Sequence, residues 1–297
     1  MDENQLSYAR KRGFLKILLL GPNGQVGWEL QRSLAPLGEL IALSRQGNQG
    51  LCGDLSDPES LTATVKAISP DIIVNAAAYT AVDQAESEPE MAGIINTEAP
   101  ARLAREAQMT GVWLIHYSTD YVFDGTGTVP WLEDDPTEPI NVYGHTKLKG
   151  EEAIRESGCH HLIFRTSWVY ASRGKNFIRT MLRLASERDS LKVINDQLGA
   201  PTGAELIADV TAHALRSAQN DKSLSGTYHL AAGETSWWNY AKLVINAALQ
   251  AGVKLRVSDK DILPVSSEEF PTEAKRPNNS RLDTTLLQKT FGLHLPS

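Results

Sequence analysis

Two clusters of residues in this chain are of the kind that carries chemistry. Tyr143 and Lys147 stand four apart in Tyr143-Gly144-His145-Thr146-Lys147, a spacing that puts both on one face of a helix. A phenol titrates near pH ~10, so at neutral pH it holds a proton that it can give to a developing alkoxide. A neighbouring ammonium favours the phenolate and eases that release. The second cluster is Gly21-Pro22-Asn23-Gly24-Gln25-Val26-Gly27, with glycines at G-x-x-G-x-x-G spacing. Glycines let a chain turn tightly and let a pyrophosphate approach the N–H groups at a helix start. An ordinary strand-to-helix turn uses the same glycines, and a solvated helix the same Tyr and Lys. Together, and in this order, they point to hydride chemistry with a nicotinamide dinucleotide.

Three further groups fit that chemistry. Ser118-Thr119-Asp120 follows an apolar run, where a hydroxyl can polarise a substrate carbonyl; the same residue types favour plain turns. Asn75-Ala76-Ala77-Ala78-Tyr79-Thr80 ends another apolar run, and its small residues admit a cofactor backbone or close helix packing equally well. Ser44-Arg45-Gln46 stands where dinucleotide folds often place an acid against the adenine ribose. Without that acid, Ser44 and Arg45 suit a 2′-phosphate, so NADPH is the expected cofactor and NADH the weaker one. Asp83 to Glu86 reads as a helix start rather than as catalytic carboxylates. The seven histidines form no ligand cluster, and none is assigned a catalytic role.

These groups need elements to hold them. Leu15 to Leu20 is a short apolar run stopped by glycine, the pattern of a buried parallel strand. A helix is expected over 25–34, and strands over 39–43, 71–75, 112–117 and 161–164. Asp57-Pro58 opens a helix with an N-cap and a first-turn proline. Further helices are expected over 92–108, from Tyr143 to Glu156, over 203–218 and over 236–249, with a strand over 226–230 and loops at 168–170 and 195–202. Strands alternating with helices predict an α/β fold with a doubly wound parallel sheet (a Rossmann arrangement), which binds ligands at the carboxyl ends of its strands. The expected division is an N-terminal extension over 1–14, a dinucleotide-binding unit over 15–168 with 203–231 returning to it, and a smaller substrate-binding region from 169–202 and 232–297.

Composition narrows the class. The chain has 297 residues, 41% hydrophobic and 22% charged, as soluble globular proteins do. A net charge of -7 without a long basic stretch argues against a nucleic-acid partner. Cys52 and Cys159 lack zinc-ligand spacing and fit a reducing cytoplasm. No apolar run is long enough for a membrane span.

The longer blocks carry a resemblance. Gly21 to Leu30, Val74 to Glu88, His116 to Phe123, Asn141 to Lys147, Phe164 to Tyr170, Asn195 to Glu205 and Arg276 to Leu282 are similar to the extended, sugar-nucleotide-modifying short-chain dehydrogenases/reductases, and more narrowly to the dTDP-4-dehydrorhamnose reductase family. That resemblance implies reduction of the C4 ketone of dTDP-4-dehydro-L-rhamnose by NADPH or NADH, for bacterial cell-surface polysaccharide. It implies a catalytic group of Tyr143 as proton donor, Thr119 orienting the ketone, and Lys147 assisting Tyr143 and binding the ribose. Gly24, Gln25 and Val26, with Gly21 and Gly27, would hold the pyrophosphate. Asp54 and Leu55 would lie by the adenine, and Ala78, Tyr79, Thr80 and Tyr117 along the cofactor. Asp120 and Trp168 would touch the sugar, and Gln197, Pro201 and Thr202 would line the nucleotide pocket. Arg276 and Arg281 would face the diphosphate or form surface salt bridges. A homodimer with magnesium at Glu29 and Glu205 is implied as well, its third carboxylate expected beyond Ser297. An epimerase or dehydratase on the same scaffold, and a non-catalytic cofactor-binding subunit, are the competing expectations.

Overall fold

Leu18-Leu19-Leu20 has no polar face, so the segment must be covered on both sides. It lies in β1 (Leu15–Leu20), at the centre of a sheet with β2 (Gly38–Leu43), β3 (Ile72–Asn75), β4 (Trp113–Thr119) and β5 (His161–Thr166). The structure, a computed structural model, describes residues 14–296. Most of the expected N-terminal extension therefore lies outside the described residues. Gly226–His229 adds a sixth strand beside β5, and the order across the sheet is Gly226–His229, β5, β4, β3, β1, β2. Every pairing in it is parallel. The order reverses between β1 and β3, which opens a crevice at their carboxyl ends.

Alternation along each strand divides the core between two faces. Ile17, Leu19, Val74, Ile115 and Phe164 pack on one side against Leu30, Ile207 and Leu215. Leu18, Leu20, Ile73, Leu114 and Ile163 pack on the other against Leu61, Leu103 and Ile154. A separate core, with Met181, Leu191, Tyr240, Ile245 and Ile262, joins helices Phe177–Glu187 and Trp237–Gln250 to the strands Leu191–Ile194 and Ile262–Val265. Helix Thr285–Phe291 returns to the main sheet, where Leu287 and Phe291 join the core around Ile17.

Several elements differ from the sequence expectation. The strand expected to stop at Tyr117 continues to Thr119, because Ser118 and Thr119 pair in register with Arg165 and Thr166 of β5. The single helix expected over 92–108 is broken into Pro89–Gly93, a π-helical turn Ile94–Glu98, and Ala99–Thr110. Its wide turn carries Asn96, whose side chain bonds the backbone of Tyr79 and the hydroxyl of Thr146. Periodicity does not register such a tertiary demand. Ser236 caps its helix rather than starting it, accepting from Asn239 N at 3.2 Å. The loops expected around residues 169 and 199 contain short strands, Val169–Tyr170 paired with Thr202–Gly203 and Leu198–Gly199 paired with Thr235–Ser236.

Candidate active site

The glycine loop leaves β1 with Gly21 at φ +81, a conformation that side chains rarely adopt. A Cβ on Gly27 would lie 2.0 Å from the Gly21 carbonyl oxygen, so this glycine lets helix Gln25–Leu34 sit directly on the turn. That helix has Gly24 as its N-cap and no side-chain cap, leaving its first-turn N–H groups free for an anion. In front of it lies a cavity of about 530 Å³ whose wall includes Gly21, Gly24, Gln25, Val26, Tyr143 and Lys147. Ser44, Arg45, Asp54 and Leu55 form its far end, and Ala78, Thr80 and Tyr117 its side. The capless helix start, the glycine cradle and the volume fit a dinucleotide.

Helix Val142–Ser157 presents Tyr143 and Lys147, and starts where Asn141 Oδ1 accepts from Gly144 N at 2.7 Å. Lys147 is buried, with Nζ donating to Tyr117 O at 2.6 Å and lying 3.1 Å from His116 Nε2. Burial lowers its proton affinity to about 8, opposed by the nearby Glu151 carboxylate. Burial pushes the Tyr143 phenol up to about 12, against a hydrogen bond with Thr119, and Asp120 adds to the rise. The phenol therefore keeps its proton throughout the neutral range, and the easing by Lys147 expected from sequence is not among the causes of its shift. Thr119 Oγ1 donates to Asp120 Oδ1 at 3.0 Å and accepts from Tyr121 N at 3.1 Å. Asp120 is raised to about 6 by burial, opposed by neighbouring hydroxyls, of which Thr119 donates to it.

A second cavity of about 600 Å³ lies against the smaller core, walled by Phe177, Trp237, Gln197, Lys192, Lys275 and Arg276. Tyr121 links the two regions. Its ring meets that of Tyr143 edge-on at 5.8 Å, and burial pushes its phenol up against the charge of the nearby Arg276 guanidinium. Trp168 holds a strained φ of 43 and stacks on Trp237 at 3.4 Å. Gly199 makes room for it, since a Cβ there would lie 2.3 Å from the indole. The aromatic and basic wall of this second cavity carries no local motif, and only Gln197 and Arg276 of it were anticipated from sequence.

Some anticipated residues are placed elsewhere. Tyr79 does not line the cavity: Asn96 holds its backbone, and its hydroxyl donates to Glu88 Oε2 at 2.8 Å. Gly27 serves packing rather than contact. Thr202 is buried with its hydroxyl donating to Ala200 O at 2.9 Å, and Pro201 lines neither cavity. Arg281 pairs with Glu234 at 3.5 Å, away from Arg276, which pairs with Asp83 at 2.7 Å. Glu29 is engaged by Arg32 at 3.3 Å, and Glu205 borders a separate cleft with Tyr170 and Arg179. Among the described residues, no group of three or more His, Cys, Asp or Glu could hold a metal, and Glu29 and Glu205 belong to no such group. His116, given no role from sequence, touches Lys147. The signal was present: Asn75 ends an otherwise apolar strand, and His116 directly follows the apolar Trp113-Leu114-Ile115 in β4.

A parallel sheet with a topological switch point, a glycine cradle there and a Tyr/Lys pair facing it define a dinucleotide-binding α/β oxidoreductase. The family profile described as the RmlD substrate binding domain matches residues 15–297, and the chain belongs to that family. It is 57% identical over 283 residues to the dTDP-4-dehydrorhamnose reductase of Escherichia coli (strain K12), covering 95% of this chain and 94% of that protein. The spore coat polysaccharide biosynthesis protein SpsK of Bacillus subtilis (strain 168) is 36% identical over 92% of this chain and 91% of its own length. The crystal structure of dTDP-4-dehydrorhamnose reductase from Bacillus anthracis in complex with NADP superposes with a TM-score of 0.84, at 34% identity over 96% of this chain and 95% of that one. The UDP-glucose 4-epimerase of Thermus thermophilus, at 18% identity over 92% of each chain and a TM-score of 0.74, shares the fold.

Proposed function

We propose that this chain reduces the C4 ketone of dTDP-4-dehydro-L-rhamnose with NADPH, giving dTDP-L-rhamnose for cell-surface polysaccharide. The observation that carries this reading is the meeting of Tyr143 and Lys147 in the cavity in front of the capless helix start at Gly24. The family and the reductases most similar to it supply the substrate class.

The bound nicotinamide supplies the hydride. Gly24, Gln25 and Val26 bind the pyrophosphate, Lys147 the ribose, and Ser44 and Arg45 the 2′-phosphate. Tyr143 gives its phenolic proton to the ketone oxygen as charge develops there, and Thr119 beside it orients that oxygen. Asp120 and Trp168 contact the sugar. Lys192, Lys275 and Arg276 offer positive charge to the diphosphate, and the aromatic wall of Phe177 and Trp237 receives the base. On this reading, residues 15–168 with 203–231 form the dinucleotide-binding unit, and 169–202 with 232–297 the sugar-nucleotide-binding region. The site is cytoplasmic, where NADPH and sugar nucleotides meet; among the described residues, no helix is long and apolar enough to cross a membrane.

Incubation with dTDP-4-dehydro-L-rhamnose and NADPH, followed by nicotinamide absorbance and product identification, tests the proposal. One NADPH consumed per dTDP-L-rhamnose formed is expected. Turnover without net NADPH consumption would identify an epimerase or dehydratase, and cofactor binding without any turnover a binding subunit.

A further inference from the structure

His116 lies on β4 directly beside Asn75 of β3, in register and deeply buried. A buried polar group left without partners is destabilising. The partners of these two run in one line toward Lys147. Asn75 Oδ1 accepts from Ala77 N at 3.2 Å, which only an oxygen can do, so the amide nitrogen faces the ring. That nitrogen lies 3.2 Å from His116 Nδ1. An amide nitrogen donates and never accepts. Nδ1 therefore carries the lone pair, and the ring proton is on Nε2.

The Nε2–H points at Lys147 Nζ, 3.1 Å away, while Nζ is 2.6 Å from Tyr117 O. A neutral amine satisfies both contacts, donating to the carbonyl and taking Nε2–H on its lone pair. An ammonium has no lone pair and meets that N–H head on. The ring itself stays neutral, since burial and then the Lys147 charge hold it well below the usual histidine value. Helix Val142–Ser157 brings Tyr143 and Glu151 to this neighbourhood. From β5, Arg165 binds Glu151 at 2.8 Å; from β4 comes the Tyr117 carbonyl; from β3, uncharged Asn75. Glu151 favours the ammonium and burial disfavours it.

We propose that Asn75 and His116 are positioning residues that present an N–H to Lys147 and stabilise its neutral amine, readying Lys147 to return a proton to Tyr143. The proposal rests on the reductase reading above. Its proton count closes. Tyr143 gives its proton to the substrate oxygen, and the Lys147 ammonium gives one to the resulting phenolate. The amine left behind accepts from His116, and solvent water restores the ammonium, leaving hydroxide to the buffer.

The first test needs no turnover. Imidazole ¹⁵N NMR of the whole protein, with His116 assigned from the spectrum of His116→Gln, should show a neutral ring protonated at Nε2 at every pH where the protein is folded. A ring protonated at Nδ1, or one that titrates, overturns the proposal. The second test is the pH profile of kcat. In Asn75→Asp the carboxylate accepts from Nδ1–H and turns the Nε2 lone pair toward Lys147, which then holds its proton more tightly. The alkaline limb should move up by about one pH unit, a tenfold change in proton affinity, with the Kd for NADPH unchanged. His116→Gln, whose amide can present either group, should retain more kcat than His116→Leu. A limb that stays in place in Asn75→Asp overturns the proposal. A wild-type protein that reduces no sugar nucleotide sinks the reductase reading instead, and the NMR result still decides the tautomer.

Discussion

A phenol is an acid catalyst only while it keeps its proton, and burial secures that at Tyr143. Tyr143→Phe removes the proton and keeps the ring that meets Tyr121 edge-on. General acid catalysis contributes ~10²–10⁴-fold, so kcat should fall by about that factor while the Kd for NADPH, read by fluorescence titration, stays put. Near-normal turnover would remove Tyr143 from the reaction. Arg45 carries a different question. Its Nε pairs with Asp54 Oδ2 at 3.1 Å, yet the side chain is 71% exposed. A pair that open is held weakly, so a 2′-phosphate can take the guanidinium. Wild type should prefer NADPH by kcat/KM, and Arg45→Ala should narrow the gap by weakening NADPH alone. Equal losses for both cofactors would show Arg45 to be a solvated loop residue.

At the scale of the element, the cofactor-facing end of the molecule depends on how closely one helix approaches one turn. Gly27 is the point of contact, and even a methyl group has no room beside the Gly21 carbonyl. Gly27→Ala should tilt helix Gln25–Leu34 away from β1 and spoil the anion cradle. Calorimetric titration is expected to give NADPH affinity reduced about tenfold or more, roughly 1.4 kcal/mol, with folded structure retained by circular dichroism. Unchanged affinity would show that the helix start does not hold the cofactor. The glycines, the strand before them and the Tyr/Lys helix were all legible as local pattern, because spacing along a chain translates directly into a face or a turn. The π-helical turn at Asn96 was not, since it answers to Tyr79 and Thr146, which are distant in sequence.

Across the whole molecule, the buried pair Glu151 and Arg165 ties helix Val142–Ser157 to β5, and Arg165 Nη1 donates on to the Glu133 carbonyl. Burial opposes the Glu151 charge, but Arg165 and hydrogen bonds carry its carboxyl below the usual value. A depressed carboxyl stabilises the fold above the unfolded-state value and loses that contribution as pH falls through the folded one. The midpoint of thermal unfolding should therefore drop as pH falls below the ordinary glutamate range near 4.5. Glu151→Gln leaves Arg165 without its counter-charge, at a cost of about 3–5 kcal/mol. That variant should melt lower at neutral pH and show a shallower acid limb; an unchanged melting profile would deny the pair this role. By itself the sequence determined the alternating strands and helices, the glycine cradle at β1 and the placing of Tyr143 and Lys147 on one helix face, because each is a short-range consequence of residue type and period. Only the tertiary structure decided that Tyr79 turns to Glu88, that Thr202 bonds its own loop, that Phe177 and Trp237 wall a second cavity, and that His116 meets Lys147. Those outcomes depend on side chains from separate elements competing for the same buried partners, and no local pattern encodes that competition.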